Sequence, residues 1–128
     1  MPISYRIDRE RALVITEAWG VLTDEDILDH KTRLLNDPGF EPKLMELSDI
    51  RSIERLDVTQ AGIKAMVQHD AANLARRAGH RVLLVVPNDL VFGMARMYEL
   101  MGSRDAGGVE VFRSMEEADA WLAKRARD

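Results

Sequence analysis

Few residues in this chain could do acid–base, metal or nucleophilic chemistry, and they are scattered. His30, His69 and His80 are the only imidazoles. None forms the pair at i and i+4 with an intervening glutamate that brings two ring nitrogens to one metal. His69 and Asp70 are adjacent, but helix neighbours point about 100° apart, so the two are ill placed to act as one dyad and read as surface groups. Asp24, Glu25, Asp26 and Asp29 offer oxygen ligands without the glycine and distal glutamate of a calcium loop, and acids in a first helical turn are expected from the helix dipole alone. Ser48, Ser52, Ser103 and Ser114 have neither a nucleophile-elbow pattern nor a nearby base. Gly102, Gly107 and Gly108 lead from a helix into a strand, the reverse of the order in a phosphate cradle. With no cysteine in the chain, thiolate catalysis, disulfides and cysteine–metal sites are removed together. These patterns predict a non-enzymatic protein with no metal and no cofactor.

The segment from Pro87 to Gly102 stands apart because it is apolar around most of a helix. Leu90, Val91, Met94, Ala95, Met97, Tyr98 and Met101 fill one broad face, while Phe92 and Leu100 lie among Arg96 and Glu99. One face can pack on a sheet. The surplus predicts a homodimer contact, a pocket beneath the helix, or insertion into a membrane interface. Phe92, Met94, Met97, Tyr98 and Met101 are the candidate contacts to an acyl-like or aromatic molecule, with Tyr98 and Arg96 as polar tips.

These residues must be positioned by a chain of 128 residues, the size of one domain, 46% hydrophobic and 31% charged. No apolar run reaches the ~20 residues needed to span a bilayer. The first residues enter strand-like sequence directly, without a leader pattern, so a cytoplasmic location is expected, peripheral to a membrane if the apolar helix meets one. A formal charge of −4 argues against nucleic acid as a partner. Arg76, Arg77, His80 and Arg81, like Lys124, Arg125 and Arg127 in the tail, fall near expected helix C-termini, where cations suit the dipole.

Ile3 to Ile7 and Leu13 to Thr16 alternate around a turn and predict an opening hairpin at the sheet edge. Thr23 before Asp24-Glu25-Asp26 opens a helix buried through Ile27, Leu28, Leu34 and Leu35, ending at Asn36-Asp37-Pro38-Gly39. A short strand over 44–49 and a long helix from Gln60 to Ala78, stopped by Gly79, come next. Val82 to Val86, continuously apolar, reads as the middle strand of the sheet. A helix over 88–101, a strand over 109–112 and a helix opened by Ser114-Met115-Glu116-Glu117 complete the order ββαβαβαβα, an α/β protein with a mostly parallel sheet and an N-terminal antiparallel hairpin.

Leu47-Ser48-Asp49-Ile50 and Leu56-Asp57-Val58-Thr59-Gln60-Ala61-Gly62-Ile63 look like the STAS-domain segment in which a strand ends near an Asp and hydroxyl residues open the next helix. Together with Phe92-Gly93-Met94-Ala95-Arg96-Met97-Tyr98 and the element order, the whole chain resembles the SpoIIAA-like family, whose fold is shared with STAS and CRAL-TRIO lipid-binding domains. The resemblance implies a single STAS-like domain over 1–128, a bacterial source and no catalysis. It also implies either an apolar small molecule or lipid, or a membrane surface, held through the 88–101 helix, or a regulatory protein partner of the anti-sigma-factor-antagonist type met at the 57–62 helix start. Where that type carries a phosphorylated Ser or Thr after the Asp, this chain has Val58. Asp57 and Thr59 therefore remain as the partner or switch site, with Thr59 expected to act as a helix cap.

Overall fold

The computed structural model describes residues 2–102 and 107–127; Ser103 and the side chain of Arg127 lie outside the described residues. Period-two alternation puts Ile3, Tyr5 and Ile7 of β1 (Ile3–Asp8) and Val14, Thr16 and Ala18 of β2 (Leu13–Thr23) on one face. The two strands pair antiparallel from Ile3↔Ala18 to Asp8↔Leu13. Thr23 then caps α1 (Asp24–Leu35), its hydroxyl accepting from the Asp26 amide while the Asp26 carboxylate accepts from the Thr23 amide.

β3 (Met45–Asp57) follows α1, and β4 (Arg81–Val85) and β5 (Gly108–Phe112) complete a five-stranded sheet in the order β1-β2-β3-β4-β5. All pairings after the hairpin are parallel. The middle strand is therefore β3. β4 lies inside the sheet, one place in from β5, and β2 is an interior strand rather than an edge. β3 is also much longer than its 44–49 segment suggests, because its second half abandons simple alternation. Glu17↔Asp49 is followed by Trp19↔Ser52, and Gly20↔Ile53 by Val21↔Arg55, so β3 takes in an extra residue twice. Those bulges bring Ile50, Ile53 and Leu56, spaced by three, all to the same core.

α2 (Gln60–Ala72) stops earlier than expected. The Asn73 side chain donates to the His69 carbonyl and its backbone leaves helical geometry, so residues 74–77 form a separate turn, α3 (Leu74–Arg77). α4 (Asp89–Met101) is capped by the Asn88 side chain, and α5 (Met115–Arg127) is opened by Ser114 accepting from the Glu117 amide. β3 pairs with β4 only from Glu46 to Asp49, leaving its 50–57 stretch without a strand partner on that side among the described residues.

The core is built on both sides of the sheet. Ile3, Ala18, Leu22, Ile50, Ile53 and Val86 pack with Val91 and Ala95 of α4 on one face. Val14, Leu34 and Leu44 extend that layer beneath α1. Leu47, Leu83 and Val85 meet Ala118 of α5 on the other.

Candidate functional site

The parallel order sends the chain from the C-terminal ends of β2, β3 and β4 into α1, α2 and α4. The starts of these helices consequently gather at one edge of the sheet. At that edge Thr59 is the N-cap of α2, its hydroxyl oxygen accepting from the Gly62 amide at 2.9 Å. It also donates at 2.7 Å to Asp24, whose other carboxylate oxygen accepts from the Thr59 amide at 3.0 Å. Asp24 is thus an acid in the first turn of α1 that also serves the positive end of α2. Gly62 permits this: a Cβ there would stand 1.9 Å from the Asp24 carboxylate. Asp57 is exposed, 4.0 Å from Arg55.

α4 divides its apolar residues between two sides. Val91 and Ala95 are buried, Met94 and Tyr98 line a cavity, and Phe92 packs against the core with the Arg113 guanidinium 4.0 Å above its ring. The Phe92 side chain therefore departs from its expected place in the polar arc, because β5 and the loop before α5 meet that flank of the helix. Met97 and Met101, expected in the buried stripe, are exposed, as are Leu90 at 75% and Leu100 at 74%. With Gly93 these four occupy an arc of about 100°. No atom lies within 4 Å of a Cβ built at Gly93.

The cavity, of about 120 Å³, lies between the sheet and α1, α2 and α4. Most of its wall is apolar, including Ala18, Leu22, Ile50, Met66, Leu84 and Ala95. At its polar end two buried clusters meet. In the first, the Lys31 ammonium donates to both oxygens of Asp70, at 3.1 and 3.3 Å, and to the Tyr98 hydroxyl at 2.7 Å. The Tyr98 hydroxyl donates to Asp70, and Arg77 stands 3.3 Å from the same carboxylate. Burial alone would lower the Lys31 pKa, yet the Tyr98 and Asp70 oxygens outweigh it and hold it above its ordinary value. Burial raises the Tyr98 pKa, so the phenol stays neutral and Asp70 supplies the counter-charge.

In the second cluster Glu46 accepts from Thr16 at 2.7 Å and pairs with His30 Nε2 at 2.7 Å. His80, 0% exposed, turns Nε2 toward Glu46 at 3.6 Å while its Nδ1 donates to the Leu44 carbonyl at 2.7 Å. Burial would raise the Glu46 pKa, but His30 and His80 overcome it and hold the carboxyl well below the usual range. Both clusters correct the expectation for these residues. Asp70 is buried, not a surface group, Arg77 and His80 of the expected basic patch are buried as well, and His30 and His80 meet across one carboxylate. The signal was a polar residue inside an apolar pattern: Lys31 between Ile27 and Leu34, Asp70 four residues after Met66, and Glu46 on the same strand face as Ile50. Among the described residues no group of three or more His, Asp or Glu could hold a metal ion, and no helix is long and apolar enough to cross a membrane.

The strand order and the antiparallel hairpin followed by parallel crossovers define a SpoIIAA-like, STAS-like α/β fold. The crystal structure of an uncharacterized protein of the DUF3478 family with a SpoIIAA-like fold, from Shewanella loihica PV-4, is similar with a TM-score of 0.61 and 19% identity over 94% of this chain and 93% of that one. No protein-family model and no curated protein matches the chain.

Proposed function

We propose that the chain is a non-enzymatic regulatory module that docks a protein partner on the outer face of α4, beside the Asp57–Thr59 start of α2. One observation carries this reading: the exposed arc of Leu90, Met97, Leu100 and Met101 takes in Gly93, a residue for which the chain's own packing gives no reason. Glycine within a helix costs roughly 0.5–1 kcal/mol relative to alanine, and it lets another surface approach the helix closely. Exposed apolar patches on folded chains generally mark such contacts. Leu90 and Thr59 belong to the same edge of the sheet, since β3 and β4 run parallel. The likeness to a SpoIIAA-like fold supports a regulatory partner better than a catalytic role. Thr59 serves this reading as a latch to Asp24 rather than as a free phosphate acceptor.

Gly93→Gln tests the proposal, because it adds a helix-favouring side chain into open space. It should raise the melting temperature slightly and abolish crosslinking to a partner that wild type captures in stoichiometric amount from its own cells. Unchanged crosslinking in Gly93→Gln would remove the helix face from the interaction. Binding to liposomes instead, lost in the same variant, would assign the face to a membrane. A second reading, an apolar small molecule held through α4, is favoured by the separate cavity on the helix's inner side.

A further inference from the structure

We propose that the cavity under α4 binds one small, uncharged, ring-sized molecule carrying a single hydroxyl or carbonyl group, anchored by the Ser48 hydroxyl. The inference deepens the small-molecule reading and is independent of the outer helix face. Volume sets the first limit. At about 120 Å³ the space is comparable to the ~150 Å³ apolar void that accepts benzene, and well below the ~300–1,000 Å³ of sites for drug-sized ligands. A ring fits; a long acyl chain does not, so the acyl-like molecule expected for this helix is set aside.

Charge sets the second limit. Lys31 is matched by Asp70, and Glu46 faces the two imidazoles of His30 and His80. Each charged side chain that lines the cavity already faces a partner, so a charged ligand would have to break one of these pairs in a low-dielectric space. Hydrogen bonding sets the third. Thr16, His30, Lys31, Glu46 and Tyr98 bond one another at the polar end of the cavity. Ser48 lies on the same face of β3 between Glu46 and Ile50, is 7% exposed and lines the cavity, yet its hydroxyl has no hydrogen-bond partner among the described residues. That hydroxyl is open to the cavity, where an incoming hydroxyl or carbonyl would complete its hydrogen bonding.

The experiment titrates the full chain with phenol, benzene, benzoate and decanoate, following backbone amide shifts and melting temperature. Phenol should saturate, with the largest shifts at Ser48, Met66 and Ala95, and should bind more tightly than benzene. Ser48→Ala should weaken phenol about three- to tenfold and leave benzene unchanged. Ala95→Leu should abolish both, and if that variant melts early the Ser48→Ala contrast decides alone. Failure of both neutral rings to saturate at these amides, equal or tighter binding of benzoate or decanoate, or phenol binding indifferent to Ser48→Ala would each overturn the proposal. None of these outcomes bears on partner docking, which Gly93→Gln reports separately.

Discussion

The two faces of the sheet are built from alternate residues of the same strands but are packed on different principles. Under α5, Leu47, Leu83, Val85 and Ala118 meet Phe112, Met115, Trp121 and Leu122, with the Phe112 and Trp121 rings edge to face at 6.3 Å. Among the described residues that face has no fully buried ion pair, Arg81 and Glu110 being only part-buried. Under α1, α2 and α4 the sheet carries two buried charge clusters and a void. A chain that can fill one face densely has not done so on the other. Buried charges and voids both cost stability, and both are concentrated beneath α4, where the proposed small-molecule site lies.

The largest test of this contrast is Val85→Asp, which places an unpaired carboxylate in the dry face at a residue 0% exposed. A loss of ~5 kcal/mol or more is expected, seen as failure to give a cooperative melt. Beneath α4, Asp70→Ala should cost about 3–5 kcal/mol in urea unfolding, since Lys31 and Arg77 would lose their shared carboxylate. Lys31→Met should cost clearly less, because Asp70 keeps Arg77 and Tyr98. If the two variants were equally destabilised, Asp70 would not be the hub.

Acid sharpens the comparison further. The Glu46 pKa is depressed in the folded state, so its contribution is present above its ordinary 4.5 and lost as pH falls through the folded value. Burial, then Lys31, lowers the His69 pKa, and this likewise removes stability as pH drops below 6.5. Melting temperature should therefore decline gently below 6.5 and steeply below 4.5, and Glu46→Gln should flatten the steep limb. A steep limb unchanged in Glu46→Gln would place the acid sensitivity elsewhere.

Volume changes should separate the faces at ~1–3 kcal/mol. Ala118→Leu should destabilise by that amount, whereas Ala95→Leu, growing into the cavity, should stay within about 1 kcal/mol of wild type in thermal melts. Equal losses would mean that the void cannot be filled. The smallest effect is Thr59→Ala, at about 1 kcal/mol for the lost cap. Thr59→Asp should be worse than alanine despite asparate's merit as a cap, because it would face the Asp24 carboxylate that now accepts the Thr59 hydroxyl. Rescue of Thr59→Asp by Asp24→Asn, read as melting temperature, checks that the repulsion is the cause.

Much of this architecture was legible in the sequence, and the parts that were not share a cause. The hairpin, the alternation of strands and helices and the caps at Thr23, Thr59 and Ser114 follow from local patterns, as does the continuous apolar run of β4. The length of β3 did not, because bulges convert an irregular spacing of Ile50, Ile53 and Leu56 into one buried face only once β2 lies beside it. The clusters were misread for the same reason. Lys31 and Asp70 are 39 residues apart, and each alone resembles a solvated helix residue. Phe92 was misplaced because helical periodicity identifies faces without saying which neighbours meet them.

The overhanging half of β3 carries a consequence for the molecule in a crowded solution. Among the described residues, 50–57 leave one row of backbone donors and acceptors without a strand beside it, which is a template for pairing with a foreign chain. Arg51, Glu54, Arg55 and Asp57 along this stretch are all exposed. Their charges contribute little to holding the monomer together. Charges placed along an open strand edge make it costly for a second strand to lie alongside.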